Sequence, residues 1–245
     1  MTDVLLPGDP PIRLKLRRSA RARRYALRVP ATGGDAVLTV PGRAALEEGL
    51  QFAQSRRDWL LRQIHKQPDI LYAVPGASIP IDGHPVEIVP GTGRSPRLFE
   101  GKLHVPGPAQ RIPAKVAGFL KTLARAQFVD ACDSYAQKLG RDYTRLDLRD
   151  THGRWGSCSS NGRLMFSWRL IMAPKAVRNY VVAHEVAHLA HMNHGPKFWA
   201  TVEQLYPGYT AQRLWLRQQG ATLHRYRFTP PEDEGPNLDH RHNSD

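Results

Sequence analysis

The chain has 245 residues, 41% hydrophobic and 23% charged, which is ordinary for a globular fold and enough to bury a core as one unit or two. No apolar stretch is long enough to cross a bilayer, no secretory signal opens the chain at Met1–Pro7, and two cysteines (Cys132 and Cys158) are too few for a disulfide framework, so a cytoplasmic protein is expected. Thirty-five Lys and Arg against 22 acids leave a formal charge of +13, which favours a polyanionic partner unless the charge is simply a solvated surface.

Taken in chain order, Ile12, Leu14 and Leu16 alternate with Arg13, Lys15 and Arg17, the pattern of a half-buried strand with its cations on one side. Tyr25, Leu27 and Val29 predict a second strand, Thr32–Asp35 a turn, and Ala36 to Val40 a third strand closed by Pro41. A helix is predicted from Ala44 to Lys66, with Leu46, Leu50, Ala53, Leu60 and Ile64 on its apolar stripe. The Pro/Gly-punctuated stretch from Pro68 to Pro113 reads as short strands, with tight turns at Asp82-Gly83 and Glu100-Gly101. A long helix follows to Leu139 with Gly140 as its cap, then strands near Leu146–Leu148 and Leu164–Ile171 flanking a Ser159–Gly162 turn. Pro174 then opens a helix expected to run to about His191. The last residues, rich in Pro, Asn and acids, read as a disordered tail.

Inside the helix after Pro174 lies His184-Glu185-Val186-Ala187-His188. Residues four apart stack on one helical face, so both imidazoles can reach one metal ion, while Glu185 is turned aside to act on water rather than to bind. A catalytic zinc site needs a third protein ligand and an open position. His194, six residues after His188, completes a metzincin-like spacing if the chain reverses, a turn that Asn193 could make in left-handed conformation. Glu203 on the next helix and His191 on the same helix are the rivals, and His194 is the expected ligand. His152, Arg154, Tyr206 and Tyr209 are candidates to stabilise a developing oxyanion, and the sequence leaves the choice among them open. Cys158 reads as a packed residue in the strand turn rather than a redox or metal thiol, and Trp155 and Trp168 as core or cleft-wall aromatics.

Four blocks in order carry a family resemblance: Arg154-Trp155-Gly156-Ser157-Cys158-Ser159, Trp168-Arg169-Leu170-Ile171 with Pro174, Tyr180-Val181-Val182 leading into the His184–His188 motif, and Asn193-His194 followed by Phe198-Trp199. With Arg18-Ser19, Arg21-Ala22-Arg23-Arg24 and Val40-Pro41, they resemble the YgjP-like zinc metallopeptidases, relatives of SprT-like proteases, over nearly the whole chain to about Phe228. The resemblance implies a minimal zincin core with one zinc per chain on His184, His188 and His194, and Glu185 as catalyst.

The expected architecture is α+β: a β-rich region with one helix at residues 1–112, a metallopeptidase core at 113–228 and an acidic tail at 229–245. The expected reaction is peptide-bond hydrolysis on a protein or peptide substrate, with Glu185 as general base and the strand from Leu164 to Ile171 pairing the substrate. Two other readings share the same residues. The site could hydrolyse a nucleotide phosphoanhydride, or the protein could act on nucleic-acid-bound partners through Arg13, Lys15, Arg17, Arg21, Arg23 and Arg24.

Overall fold

The fold is seen in a computed structural model that describes residues 2–30, 33–67 and 69–230; the tail from 231 onward and Thr32 lie outside the described residues, and with them the expectation of a disordered tail. Contacts along the chain define two compact units, Met1–Ile70 with Leu214–Arg225, and Leu71–Arg213 with the chain from Tyr226, rather than a division at 112/113.

In the first unit the alternation of apolar and charged residues becomes a four-stranded sheet. It comprises β1 (Thr2–Leu6), β2 (Ile12–Ser19), β3 (Ala26–Arg28) and β4 (Ala36–Pro41), in the order β1-β2-β4-β3. β2 lies antiparallel to β1 and parallel to β4, and β3 closes the other edge antiparallel to β4. β1, too short and too mixed to show a period, was not anticipated. Ile12, Leu14, Leu38 and Val40 turn inward onto Ala53 and Leu60, forming the unit's core. The helix expected over 44–66 is instead two helices, α1 (Leu46–Ser55) and α2 (Arg57–Ile64). They are broken where Arg56 leaves helical geometry (φ −110°, ψ 15°) and its amide binds back three residues to Ala53.

The second unit starts with β5 (Leu71–Tyr72), which pairs later with β13 (Tyr226–Arg227), and continues with β6 (Ser78–Ile81), β7 (His84–Gly91), β8 (Arg97–Phe99) and β9 (Lys102–Pro106). Both anticipated turns are present: Asp82 and Gly83, like Glu100 and Gly101, have positive φ, which matches the strand twist in a two-residue hairpin. The Asp82 turn is also an anchor. Its amide binds the Ile171 carbonyl at 2.9 Å and its carboxylate meets the fully buried Arg178 guanidinium.

Helix α3 (Ile112–Leu139) buries Val116, Leu120, Ala124, Phe128, Cys132 and Ala136, spaced four apart along one stripe, and stops at left-handed Gly140. A three-stranded sheet follows from β10 (Arg145–Arg149), β11 (Gly156–Cys158) and β12 (Arg163–Ser167), ordered β10-β12-β11. The strand predicted to reach Ile171 ends at Ser167, where the chain turns into a short 3-10 helix from Trp168 to Met172. The strand period continues by chance through Trp168 and Leu170, because both are buried for a different reason. As the centre of its sheet, β12 has no free edge for a substrate; the edges belong to β10 and β11. The chain then forms α4 (Lys175–Ala187), α5 (Pro196–Leu205) and α6 (Thr210–Gln219). The fold class is thus α+β, and no helix among the described residues is long and apolar enough to cross a membrane.

Candidate metal centre

Pro174 caps α4 in an extended conformation rather than occupying its first turn. Val177, Val181, Val182 and Val186 commit the inner faces of the helix to the core. This packing leaves His184 half-buried at the surface of that core and carries Glu185 inward, where it is 6% exposed. The helix ends at Ala187, earlier than the expected His191, and His188 is its C-cap. Tight turns carry the chain away, with the amides of Leu189, Ala190 and His191 bonding to Val186 and Ala187 carbonyls. The reversal needs no left-handed residue: Asn193 is not among the positive-φ positions, and Gly195 enters α5 in extended conformation ahead of Pro196.

That reversal brings three imidazoles together. His184, His188 and His194 each offer a ring nitrogen within 4.8 Å of the others, and the Nε2 atoms of His184 and His194 are 3.1 Å apart. The His188 Nδ1 lies 2.9 Å from the His191 carbonyl, which sets the tautomer that leaves Nε2 for the cluster. Phe198 from α5, fully buried, stacks on the His188 ring at 4.4 Å and holds it in place. His191 therefore contributes its carbonyl and not its ring. Glu203 is exposed and accepts a hydrogen bond from the Gly208 amide at 3.0 Å, so neither rival joins the three histidines.

Burial decides the protonation states. Desolvation, then the neighbouring His188, His194 and Arg213, push His184 down to about 3. Burial also lowers His188, reinforced by His194 and opposed by its bond to the His191 carbonyl. Both rings are accordingly neutral near pH 7, the form that donates a lone pair to a metal. The donor set is three convergent imidazoles with a glutamate beside them, and it fits a zinc-type ion.

Glu185 sits against β11. Burial pushes its carboxyl up to about 8, while the Arg154 charge and a hydrogen bond from the Cys158 amide act the other way. Its seat exists because residue 156 is glycine: a Cβ there would lie 2.6 Å from both Cγ and Oε1 of Glu185. No local pattern in the sequence distinguishes the role of Gly156. The signal is tertiary, a backbone approached closely by a buried side chain.

An aromatic wall borders the cluster. Trp199 lies 5.7 Å from the His184 ring and 5.8 Å from His194, Tyr209 stacks on Trp199 at 5.3 Å, and Tyr180 stacks on Tyr209 at 5.7 Å. Arg213, not anticipated, lies with its guanidinium 4.7 Å over Trp199. It could have been suspected only from its place one helical turn after Tyr209. Of the oxyanion candidates, Tyr209 is thus in the wall and Arg154 acts on Glu185. Tyr206 is half-buried with its phenol raised by burial, and exposed His152 is outside the three-histidine group.

A convergent three-histidine group with a buried glutamate one residue from the first is the arrangement of a metallopeptidase centre. The family profile "YgjP-like, metallopeptidase domain" matches residues 23–219, and the chain belongs to the YgjP-like metallopeptidases, a family whose activity implies a metal ion. The crystal structure of the metallopeptidase zymogen of Pyrococcus abyssi abylysin is also similar, at 22% identity and a TM-score of 0.34, covering 38% of this chain and 95% of that one. No curated protein matches the sequence.

Proposed function

We propose that the protein is a zinc-dependent peptidase in which His184, His188 and His194 hold one zinc ion and Glu185 is the general base. The observation that carries this reading is the convergence of three imidazole nitrogens within 4.8 Å of one another, with the Glu185 carboxyl outside the group. A zinc ion bound there supplies Lewis acidity, polarising a substrate carbonyl and making water a nucleophile near neutral pH. Glu185 takes a proton from the attacking water as its oxygen bonds to the carbonyl carbon. It then delivers that proton to the nitrogen as the C–N bond breaks, releasing a carboxylic acid and an amine, and the acid's remaining proton passes to the amine to leave carboxylate and ammonium. Arg154 favours the ionised, proton-accepting form of Glu185, and Tyr209 and Arg213 border the space where charge develops. The edge of β11, which has no second strand partner among the described residues and bonds Glu185 through the Cys158 amide, is the natural rail for an extended peptide.

The protein is read as cytoplasmic, with its two cysteines free. Weak polyanion binding by the first unit is supported by Arg13, Arg21, Arg23 and Arg24, all exposed and in no ion pair among the described residues. Lys15 and Arg17 are held locally, by Asp35 at 3.1 Å and the Thr39 hydroxyl at 3.3 Å. The decisive experiment loads the chain with zinc and offers a casein-like substrate and nucleoside triphosphates in parallel, with His194→Ala and Glu203→Ala alongside. Peptide cleavage and zinc content lost together in His194→Ala, and kept in Glu203→Ala, are expected. Cleavage of triphosphates alone would replace peptide hydrolysis with phosphoanhydride hydrolysis. Full zinc retention in His194→Ala would remove it from the ligand set.

A further inference from the structure

A cleft of about 760 Å³ lies between the outer face of α3 and β10, with Trp168 in its lining. Lys121 and Arg125, one helical turn apart on α3, and Arg149 on β10 bring three positive charges to it. All three are exposed, and none takes part in an ion pair among the described residues. The two carboxylates that share the lining are already matched: Asp147 by Arg145 at 3.0 Å and by Arg163, Asp150 by Arg169 at 2.7 Å. Among the described residues the positive charge of the cleft is therefore uncompensated. Trp168 is 3% exposed, with Lys121 Nζ 5.6 Å and the Arg169 guanidinium 5.0 Å from its ring centre, and its Nε1–H has no acceptor among the described residues.

The second feature of the cleft is a sheet edge. Among the described residues β10 pairs with β12 alone, which leaves its other side without a strand partner. The Leu146 carbonyl points to that side, where it accepts a hydrogen bond from Arg125 at 3.2 Å. Residues two apart in a strand direct their backbone groups the same way, so the N–H and C=O of Leu148 also face outward, over the cleft that this residue lines.

We propose that this cleft docks an acidic, extended segment of a partner protein as an added strand on β10, its carboxylates meeting Lys121, Arg125 and Arg149. Charge alone would also suit a phosphate backbone. A phosphodiester, however, offers no donor to the Leu148 carbonyl, whereas a peptide pairs with both edge groups at once. The site is distinct from the three-histidine group, and its occupancy is measurable without turnover.

The test is fluorescence anisotropy of a dye-labelled peptide alternating glutamate and valine, titrated with the full chain at low salt, beside its lysine–valine counterpart. Saturable binding of the acidic peptide alone is expected, weakened about tenfold in Lys121→Glu/Arg149→Glu. Hydrogen exchange should show the Leu148 amide protected in the complex. Equal affinity in the double variant, or binding that leaves Leu148 unprotected, would overturn the proposal. Should the double variant not fold, the exposed single change Lys121→Met replaces it, with a smaller loss of affinity expected and none contradicting the proposal. Displacement of the peptide by a single-stranded DNA oligomer at equal affinity would make the cleft a general polyanion surface and defeat the proposal. A marked gain in peptide affinity on replacing Glu232, Asp233 and Glu234 by their amides would name the chain's own acids as the occupant, and would equally remove the partner.

Discussion

The two compact units treat charge in opposite ways. In the first, cations stand on the outer side of an amphipathic sheet and are held, where they are held at all, by one or two solvent-exposed bonds, such as Lys15–Asp35 and Arg18 to the Gly42 and Ala44 carbonyls. In the second, the decisive polar groups are inside: Arg178 is 2% exposed, Glu185 6% and His188 8%. Solvated charge costs little and contributes little, whereas buried charge either finds a partner or shifts its protonation state. The total of +13 therefore says less about function than the handful of charges that the second unit has removed from water.

That contrast can be broken by substitution, and the largest effect should fall on turnover. Glu185→Gln keeps the size of the side chain but cannot accept a proton, so kcat should fall by about 10³-fold or more while zinc content is unchanged. Metal analysis beside a peptide-cleavage assay checks this, and near-normal turnover would place the base elsewhere.

On stability the buried ion pair should dominate. Asp82→Ala leaves the Arg178 guanidinium buried without its counter-charge and should cost about 3 kcal/mol, read from urea denaturation. Gly156→Ala comes next: the added Cβ must displace Glu185 or β11, costing about 1–3 kcal/mol and lowering turnover with zinc retained. Lys15→Ala in the first unit marks the small end, with a loss below about 0.5 kcal/mol because the pair is open to solvent. Comparable losses for Asp82→Ala and Lys15→Ala would erase the distinction between the units.

A pH series on metal-free protein sharpens the same point. Glu185, raised to about 8 from an ordinary 4.5, binds its proton more tightly folded than unfolded. Its contribution is complete below pH 4.5 and is lost as pH rises through 8. His184, lowered to about 3 from 6.5, runs the other way and has delivered its full contribution above pH 6.5. Between pH 6.5 and 8 the carboxyl effect should therefore stand alone. The denaturation midpoint of wild type should fall across that window, and that of Glu185→Gln should hold.

Much of the molecule was legible beforehand where one chemical signal is local. The alternation in β2, the four-residue spacing along α3, the left-handed turns at Asp82-Gly83 and Glu100-Gly101, and the His184–His188 pair on one helical face all follow from backbone geometry and neighbouring side chains. What the sequence by itself could not decide were contacts between residues far apart in the chain. These include the end of β12 at Ser167, the split of α1 from α2 at Arg56, and the seat of Glu185 on Gly156. They also include Arg213 lying on Trp199. Periodicity records only that a residue is buried, so Trp168 and Leu170 looked like strand although they belong to a 3-10 turn. Which neighbour does the burying, and hence which groups meet at the three histidines, is settled by packing in three dimensions.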